Sequence, residues 1–333
     1  MVKKRSLPGF ELMKRKLEQL VEKGEELSKI LPEAYYPARK WTPLKLILLM
    51  VYVSMYSKIM TSFREKLHFP QKIFYVDPLA GAGINKIKDT DDFVAGSPII
   101  SVVFSSDSFD KYFFSESDSQ RREALKARME KLLPQNKFCI CNDCNVLLNH
   151  VAEYLFDIGA NAHYLLFVDC EGIEPHWRVM SKILSYPGDL IFVFQTVVVW
   201  EQIRRWRNYK GVTNFFGTKD WEKVKKKEEL VEIYKKQVSN VSTAKGSTRR
   251  LIDHVTIKGD IKEGSFHYDV IFAARETKGG SPWFYNFMQY ANKVVKQTGK
   301  SVERALNVMK GRDSQLDWFI QPKTTRCKIT DFF

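Results

Sequence analysis

The sequence is poor in cysteine and in long apolar runs. Five cysteines occur among 333 residues, and their odd number and uneven spacing exclude a disulfide framework and favour a reducing, intracellular setting. No signal-like apolar core follows the amino terminus, which predicts a cytoplasmic protein. The most apolar span, Leu44 to Met60, contains Lys45 and Lys58. The run between them is too short to cross a bilayer, so we expect a buried helix and no membrane partner.

Acidic residues are also outnumbered. The chain has 53 Lys and Arg against 39 Asp and Glu, a net charge of +14 and a pI of about 9.4. Such a balance favours a polyanionic partner such as DNA, although it concerns association and not fold. Hydrophobic residues make up 44% of the chain, which is enough for a substantial core in one large domain or two modest ones.

The central motif is a strand followed by an acid and a glycine loop. The apolar run at 73–76 predicts a buried strand, and Asp77, Pro78, Gly81 and Gly83 follow it. Glycines let a ligand approach the backbone, and the next helix N-terminus offers free N–H groups. The third glycine of a dinucleotide fingerprint and the Lys-Ser/Thr of a P-loop are both missing. The loop instead resembles the first motif of methyltransferases that use S-adenosylmethionine (SAM).

Strands and helices then alternate along the chain, which predicts a mostly parallel Rossmann-like α/β sheet with right-handed crossovers. Two final strands, at 251–258 and 266–274, predict an antiparallel C-terminal hairpin. The predicted strands before that hairpin are at 73–76, 111–118, 138–141, 164–168 and 189–196.

Acids follow the second of these strands. In nucleoside-binding α/β folds an acid at this position accepts hydrogen bonds from the ribose hydroxyls, and Glu116 or Asp118 is placed for that role. An ordinary helix N-cap explains either acid equally well.

Basic and aromatic residues interleave between residues 200 and 227. Such a composition suits gripping a phosphate backbone while stacking on unpaired bases, and it predicts nucleic-acid contact. An amphipathic helical insert with a solvated Lys/Glu face is the alternative, which 220–236 fits well. The predicted contacts are Arg204, Arg205, Arg207, Lys210, Lys225, Lys226 and Lys227, among Trp206, Tyr209, Phe215, Phe216 and Trp221.

By their order, these segments resemble the three-Cys-motif partner family (TcmP), a group with a Rossmann-like methyltransferase fold. Its name refers to a radical-SAM-like partner protein. The resemblance implies a loop at 77–83 around the methionine part of SAM, Glu116 or Asp118 on the ribose, Asp143 beside the adenine and Asp169 at the reaction centre. The matching stretches are 41–46, 76–83, 96–98, 114–118, 143–145, 167–169, 214–217 with Trp221, and 268–274.

The fourth acid-tipped strand departs from the family pattern. Asp169-Cys170-Glu171-Gly172 stands where amino-methyltransferases have Asp/Asn-Pro-Pro-aromatic. The prolines fix a loop whose carbonyl and acid accept the target amine's protons. Three alternatives remain open: Glu171 acts with Asp169 as a general base or metal ligand, Cys170 is a nucleophile rather than a packing residue, or the site is degenerate.

Three cysteines lie close together in the third unit. Cys139, Cys141 and Cys144 are thiols that suit zinc or an iron–sulfur cluster, with His150 or Cys170 as a fourth ligand. Cysteines alternating on a strand also pack as small hydrophobic residues. The spacing is not a usual zinc knuckle, so we favour packing and predict no metal at these thiols.

The last residues resemble a PCNA-interacting peptide (PIP box). Ile329, Phe332 and Phe333 match its aliphatic and aromatic anchors, and Arg326 stands where glutamine is usual. A one-turn helix of this kind plugs its anchors into a pocket of the sliding clamp. Such clamps belong to archaeal and eukaryotic replication, so the resemblance implies a protein on DNA. The alternative is that the two phenylalanines dock on the chain's own domain.

The sequence therefore predicts a clamp-tethered, SAM-binding methyltransferase-fold protein in DNA modification or repair. A non-catalytic DNA-binding adaptor that recruits a partner enzyme is the second hypothesis. A divalent-metal nuclease that uses Asp77, Glu116, Asp143, Asp169 and Glu171 is the third. The predicted segments are an N-terminal helical part at 1–70, a SAM-binding core at 71–200, a basic insert at 201–250, closing strands and helix at 251–312, and a tail at 313–333.

Overall fold

The computed structural model describes residues 9–68, 70, 72–243, 246–259, 266–276 and 281–311. Its helices are α1 (Gly9–Ser28), α2 (Thr42–Leu67), α3 (Ser97–Val103), α4 (Ser119–Leu132), α5 (Cys144–Ile158), α6 (Trp177–Leu184), α7 (Thr196–Arg204), α8 (Tyr209–Phe216), α9 (Glu229–Asn240), α10 (Pro282–Val295) and α11 (Gly299–Met309). Its strands are β1 (Tyr36–Ala38), β2 (Lys72–Asp77), β3 (Ile84–Ile87), β4 (Phe93–Ala95), β5 (Lys111–Ser115), β6 (Phe138–Cys141), β7 (Ala162–Asp169), β8 (Gly188–Phe194), β9 (Leu251–Lys258) and β10 (His267–Ala274).

A central sheet organises these elements. In the described part of the chain it has seven strands in the order β6-β5-β2-β7-β8-β10-β9. The strands from β6 to β8 pair in parallel, and β10 is antiparallel to both β8 and β9. The prediction of a mostly parallel Rossmann-like sheet with an antiparallel C-terminal hairpin is confirmed. The chain enters the sheet at β2, runs outward to β6, and returns to β7 on the other side of β2, which creates a topological switch point beside β2.

Both faces of the sheet are buried, which explains why its strands are continuous apolar runs. Side chains alternate between the faces along each strand. In β7, Leu165 and Phe167 join the core formed with α1, α2, α10 and α11. Leu166 and Val168 point to the other core, formed with α5, α6, α8 and α9.

Helix α2 is the predicted buried helix. By length and composition its stretch Thr42–Lys66 would also suit a membrane span, but it packs centrally against the sheet, where Leu48, Leu49 and Met50 are fully buried. Trp41 occupies the N-cap position, without a side-chain hydrogen bond to the helix, and Pro43 lies in the first turn.

A small second sheet is absent from the sequence prediction. Strand β3 pairs in parallel with β1 and antiparallel with β4. The three strands are only three or four residues long, so they carry too little alternation to be recognised as strands. They matter because they bring Tyr36 and Asn85 to the carboxyl edge of the main sheet.

The closing segment at 251–312 was predicted to contain one helix, but it contains two, α10 and α11. Thr298 caps the second of them through a reciprocal capping box with Ser301. Helix α6 begins at Trp177, after Pro175, because a proline without its N–H is best tolerated before or at the first turn of a helix.

Candidate active site

A cavity of about 410 Å³ opens at the carboxyl ends of β2, β5, β6 and β7, at the switch point of the sheet. This is the crevice in which open α/β sheets bind ligands. The predicted site residues that line it are Pro78, Gly81, Gly83, Glu116, Asp143, Asp169 and Glu171. The unpredicted residues that line it include Tyr36, Lys45, Asn85, Arg121 and Gln195.

The glycine loop is held against its neighbours by backbone contacts. The N–H of Gly96 donates to the carbonyl of Gly83 at 2.7 Å, and the N–H of Ala80 donates to the carbonyl of Ser115 at 2.9 Å. Gly81 and Gly83 have φ values of 63° and 83°, which favour glycine over residues with a Cβ. The backbone of the loop therefore forms one wall of the cavity without intruding side chains at these two positions.

Asp77 lies beneath this loop and does not line the cavity. It is fully buried, its Oδ1 accepts a hydrogen bond from the N–H of Leu79 at 3.3 Å, and its Oδ2 has no hydrogen-bond partner among the described residues. Burial raises the pKa of Asp77 to about 7.

The two acids after β5 have different roles. Glu116 is buried, lines the cavity, and accepts hydrogen bonds at Oε1 from the N–H of Asp118 at 2.8 Å and from Arg121 at 3.0 Å. Asp118 is exposed, does not line the cavity, and caps α4 by accepting from the N–H of Arg121 at 2.8 Å. The structure therefore favours Glu116 over Asp118 as the predicted ribose ligand.

Asp143 combines both roles. It caps α5 through a hydrogen bond from the N–H of Val146 at 2.8 Å, and it lines the cavity together with Asn142 and Asn145. A carboxylate and two amides at the tip of β6 provide acceptors and donors for a polar ring edge.

Asp169 ends β7 at the inner side of the cavity and is paired with Lys45 of α2. The Lys45 Nζ lies 2.6 Å from Oδ2 and 2.8 Å from Oδ1, so both carboxylate oxygens are engaged. The two side chains are only 14% and 19% exposed. Lys45 also lies 5.8 Å from the ring centroid of Tyr268.

Cys170 does not reach the cavity. Its side chain is fully buried in the core formed with α6 and α8, and its thiol donates a hydrogen bond to the carbonyl of Val193 at 3.3 Å. Burial raises the pKa of this thiol well above its usual value. Because the thiolate is the nucleophile, these surroundings favour the packing alternative for Cys170 over the nucleophile alternative.

Glu171 and Glu174 stand at the exposed mouth of the cavity. Loss of solvent around the carboxylate, followed by the negative charge of Glu174, raises the pKa of Glu171. Among the described residues, no three His, Cys, Asp or Glu side chains gather in a group that could hold a metal ion. The nuclease hypothesis and the Glu171–Asp169 metal option therefore lack a supporting cluster.

Cys139 and Cys141 on β6 and Cys144 at the start of α5 also form no group, among the described residues, that could hold a metal ion. Burial raises the pKa of Cys139 to about 11 and that of Cys144 to about 12. Protonated, partly packed thiols fit the packing interpretation.

The segment 204–210, between α7 and α8, is a continuous exposed surface. All seven residues are exposed, and they comprise four cations and two aromatic rings. Among the described residues no carboxylate lies within ion-pairing distance of Arg205 or Arg207. Helix α7, which ends at Arg204, begins directly after Gln195 of the cavity wall, and α8 packs so closely on Ile173 that a Cβ at Gly211 would lie 2.6 Å from its Cδ1.

Not all of the predicted nucleic-acid contacts share this surface. Lys225, Lys226 and Lys227 belong to a separate segment before α9. Three of the aromatic residues are unavailable for stacking, because Phe215 and Phe216 are fully buried and Trp221 is 4% exposed in the core. Their apolar spacing reflects packing of the insert onto β8. Trp206 and Tyr209 remain, with exposures of 54% and 50%.

The predicted clamp-binding residues Arg326, Ile329, Phe332 and Phe333 lie outside the described residues.

No protein-family model matches the chain, and no curated protein matches it. Among solved structures, it is similar to the O-methyltransferase TomG from Streptomyces achromogenes in complex with SAM, with 10% identity over 66% of this chain and 79% of that one and a TM-score of 0.36. The O-methyltransferase from Bacillus cereus in complex with SAH matches with 9% identity, coverage of 77% and 99%, and a TM-score of 0.35. Spermidine synthase from Thermotoga maritima matches with 14% identity, coverage of 78% and 74%, and a TM-score of 0.33.

The strand order and the cavity at its switch point define the class: a protein with a methyltransferase-type, Rossmann-like fold. The fold does not by itself define the reaction, which has to be argued from the site.

Proposed function

We propose that this chain binds SAM in the cavity and is a methyltransferase that acts on nucleic acid. The observation that carries the proposal is the convergence of the glycine loop, Glu116, Asp143 and the Lys45–Asp169 pair on one cavity. A cavity of about 410 Å³ is within the range that suits a cofactor-sized ligand.

Each part of SAM has a matching group in the cavity. The backbone at 78–83 suits the methionine portion, which ends in an ammonium and a carboxylate, and the buried Asp77 carboxyl lies beneath that backbone. Glu116 suits the ribose hydroxyls, since only its Oε1 is used by Asp118 and Arg121. Asp143 suits the adenine edge. When bound, SAM supplies an electrophilic methyl group on sulfur, and Asp169 is the nearby proton acceptor.

Calorimetric titration with SAM tests this proposal. We expect binding by the unaltered protein, and we expect Glu116→Ala to weaken it by about 10-fold or more, because a charge-assisted hydrogen bond contributes about 1.5–3 kcal/mol. Asp118→Ala is the matched control. It should cost about 1 kcal/mol of stability as a lost N-cap and leave the SAM affinity within about threefold. Absence of SAM binding by the unaltered protein would remove the proposal.

Nucleic acid as the substrate is supported by the exposed cations and aromatic rings at 204–210 and by the net charge of +14. Cations would contact phosphates while Trp206 and Tyr209 stack on unpaired bases.

Removing two of these cations should weaken single-strand binding selectively. For Arg205→Gln with Arg207→Gln we expect the slope of log affinity against log salt to fall by about 1.4, since each phosphate contact contributes about 0.7 for single strands. Lys126→Gln with Lys131→Gln removes the same charge from exposed positions on α4 and should change the slope little. Binding is measured by fluorescence anisotropy. If the two double variants changed the salt slope equally, the segment 204–210 would not be a dedicated nucleic-acid-binding surface.

The clamp, the role on DNA and the partner protein are proposed from the sequence alone. The tail resembles a PIP box, which supports recruitment to a PCNA-type clamp and a DNA-associated, nucleoid-localised role in modification or repair. The family resemblance supports a radical-SAM-like three-Cys-motif partner. Pull-down by the clamp should be lost when residues 328–333 are deleted, and capture that persists would contradict clamp recruitment through the tail.

A non-catalytic adaptor is the second candidate. It is favoured by the Asp169-Cys170-Glu171-Gly172 sequence, which lacks the prolines of amino-methyltransferases. The two candidates differ in one result: an adaptor binds nucleic acid and its partners but transfers no methyl group under any condition in which SAM is bound.

A further inference from the structure

We propose that the methyl acceptor is a hydroxyl oxygen and not a base amine, and specifically the ribose 2′-hydroxyl of an RNA strand. This inference rests on the proposed function and adds the acceptor atom to it. It starts from the Lys45–Asp169 pair, in which the ammonium contacts both carboxylate oxygens, at 2.6 Å and 2.8 Å.

The hydrogen-bonding inventory of this pair suits a hydroxyl. A lysine ammonium offers only donors, and a carboxylate offers only acceptors. A hydroxyl has lone pairs to accept from Lys45 and one proton to donate to Asp169, so it can bridge the two groups. Lys45 also draws negative charge toward the oxygen, which stabilises it as its proton departs.

An exocyclic base amine is a poor match for the same pair. It carries two N–H donors and therefore needs two acceptors at the reacting end of the cavity. Asp169 can still accept through its remaining lone pairs, but Lys45 offers only donors to an amine that itself needs acceptors, and the ammonium would face the positive charge that develops on nitrogen during methylation. The remaining carboxylates of the cavity wall near this end, Glu171 and Glu174, are exposed at its mouth.

The surroundings of Lys45 and Asp169 strengthen their ion pair. The Asp169 and Lys45 side chains are mostly buried, and the buried ring of Tyr268 lies 5.8 Å from the ammonium. Partial exclusion of water strengthens the attraction between the two charges. The pair therefore presents donors on Lys45 and acceptors on Asp169 to a substrate group.

The transfer balances with these groups. The hydroxyl oxygen forms a bond to the methyl carbon of the donor, and the carbon–sulfur bond breaks with its electron pair remaining on sulfur. The hydroxyl proton passes to the Asp169 carboxylate, from which it leaves to solvent. The products are a methyl ether and the neutral thioether of the donor, and Lys45 keeps its charge throughout.

In a nucleic acid, a hydroxyl group that accepts a methyl group belongs to the sugar. The 2′-hydroxyl distinguishes RNA from DNA, and DNA offers a free hydroxyl only at strand ends. Stacking on the exposed aromatic rings of segment 204–210 requires unpaired bases. The segment therefore suits a single strand whose riboses are accessible. A substrate encountered on DNA would then be a ribonucleotide-containing strand.

Two matched pools test the inference: single-stranded random-sequence RNA, and DNA of the same length and composition. With radiolabelled SAM we expect label in the RNA pool at least about 100-fold above the DNA pool, and digestion to nucleosides followed by mass spectrometry should find the methyl group on ribose. Label on base amines would overturn the acceptor assignment. So would a lack of transfer to both pools by protein that binds SAM. Failure to bind SAM at all would instead remove the proposed function, and this inference with it.

A binding measurement without SAM provides an independent readout. We expect the RNA pool to bind about 10-fold more tightly than the DNA pool, and Lys45→Met to lose that preference. Lys58→Met, an exposed lysine on the same helix, is the matched control and should keep it. If Lys45→Met retained the RNA preference, Lys45 would not be contacting the hydroxyl. Unchanged SAM affinity in Lys45→Met would show that the variant is folded.

Discussion

Replacing Asp169 with asparagine should lower the rate of methyl transfer by about 1,000-fold, since a positioned proton acceptor contributes about 10²–10⁴. The amide cannot take up the hydroxyl proton, and it leaves the Lys45 ammonium mostly buried without a countercharge. SAM affinity should stay within about threefold, because the groups assigned to the cofactor belong to other strands. The measurement is single-turnover transfer to the RNA pool, together with calorimetry.

A matched control and a double variant sharpen this result. Asp157→Asn makes the same chemical change at an exposed position on α5 and should leave transfer unaltered. If Lys45 and Asp169 act as a unit, combining Lys45→Met with Asp169→Asn should cost little more than Asp169→Asn alone. Retention of more than about a tenth of the rate in Asp169→Asn would exclude the carboxylate as the proton acceptor.

Replacing Arg128 with methionine should lower the free energy of unfolding by about 4 kcal/mol, one of the large losses that follow from breaking a buried polar network. Arg128 is fully buried on α4. Its guanidinium donates to the carbonyls of Ala82 at 2.6 Å, Ile30 at 2.7 Å, Leu31 at 3.0 Å and Leu27 at 3.3 Å. Methionine fills a similar volume but removes these donors, while the carbonyls of Leu27 and Leu31 keep the backbone N–H donors of Ile30 and Ala34.

The position of Arg128 links two parts of the molecule. It satisfies carbonyls at the end of α1 and one carbonyl of the glycine loop, so its loss should also weaken SAM binding through Ala82. Lys126→Met, on an exposed face of the same helix, should change stability by less than about 0.5 kcal/mol. Urea denaturation measures both. A loss below about 1 kcal/mol for Arg128→Met would mean that water replaces the guanidinium at these carbonyls.

The main sheet could be predicted because its signals are local. Apolar runs followed by an acid and a turn, as at Asp77 and Asp169, predict strands and their carboxyl ends, and chain order then predicts which ends meet. Glu116 and Asp143 were found in this way. The choice between Glu116 and Asp118 could not be made, because one turn of backbone decides which acid caps α4 and which faces the cavity.

What escaped prediction depends on distant contacts. Lys45 and Asp169 are 124 positions apart, and no local pattern pairs a lysine in an apolar helix with a strand tip. The aromatic residues at 215–221 have a composition that suits stacking, yet tertiary packing buries them. The small sheet of β1, β3 and β4 was not predicted for another reason. Its strands of three or four residues are shorter than the length at which alternation is informative.

Asp77 should make both stability and ligand binding depend on pH. Its pKa rises from the ordinary 3.8 to about 7 on burial, so the folded protein holds this proton over a pH range in which the unfolded chain has released it. The unliganded fold therefore loses stability as the pH rises from about 4 to about 7. A ligand ammonium bound at the loop above Asp77 favours the ionised carboxylate through its charge. Below neutrality, binding should expel a proton, and the heat observed by calorimetry should depend on the ionisation enthalpy of the buffer that receives it.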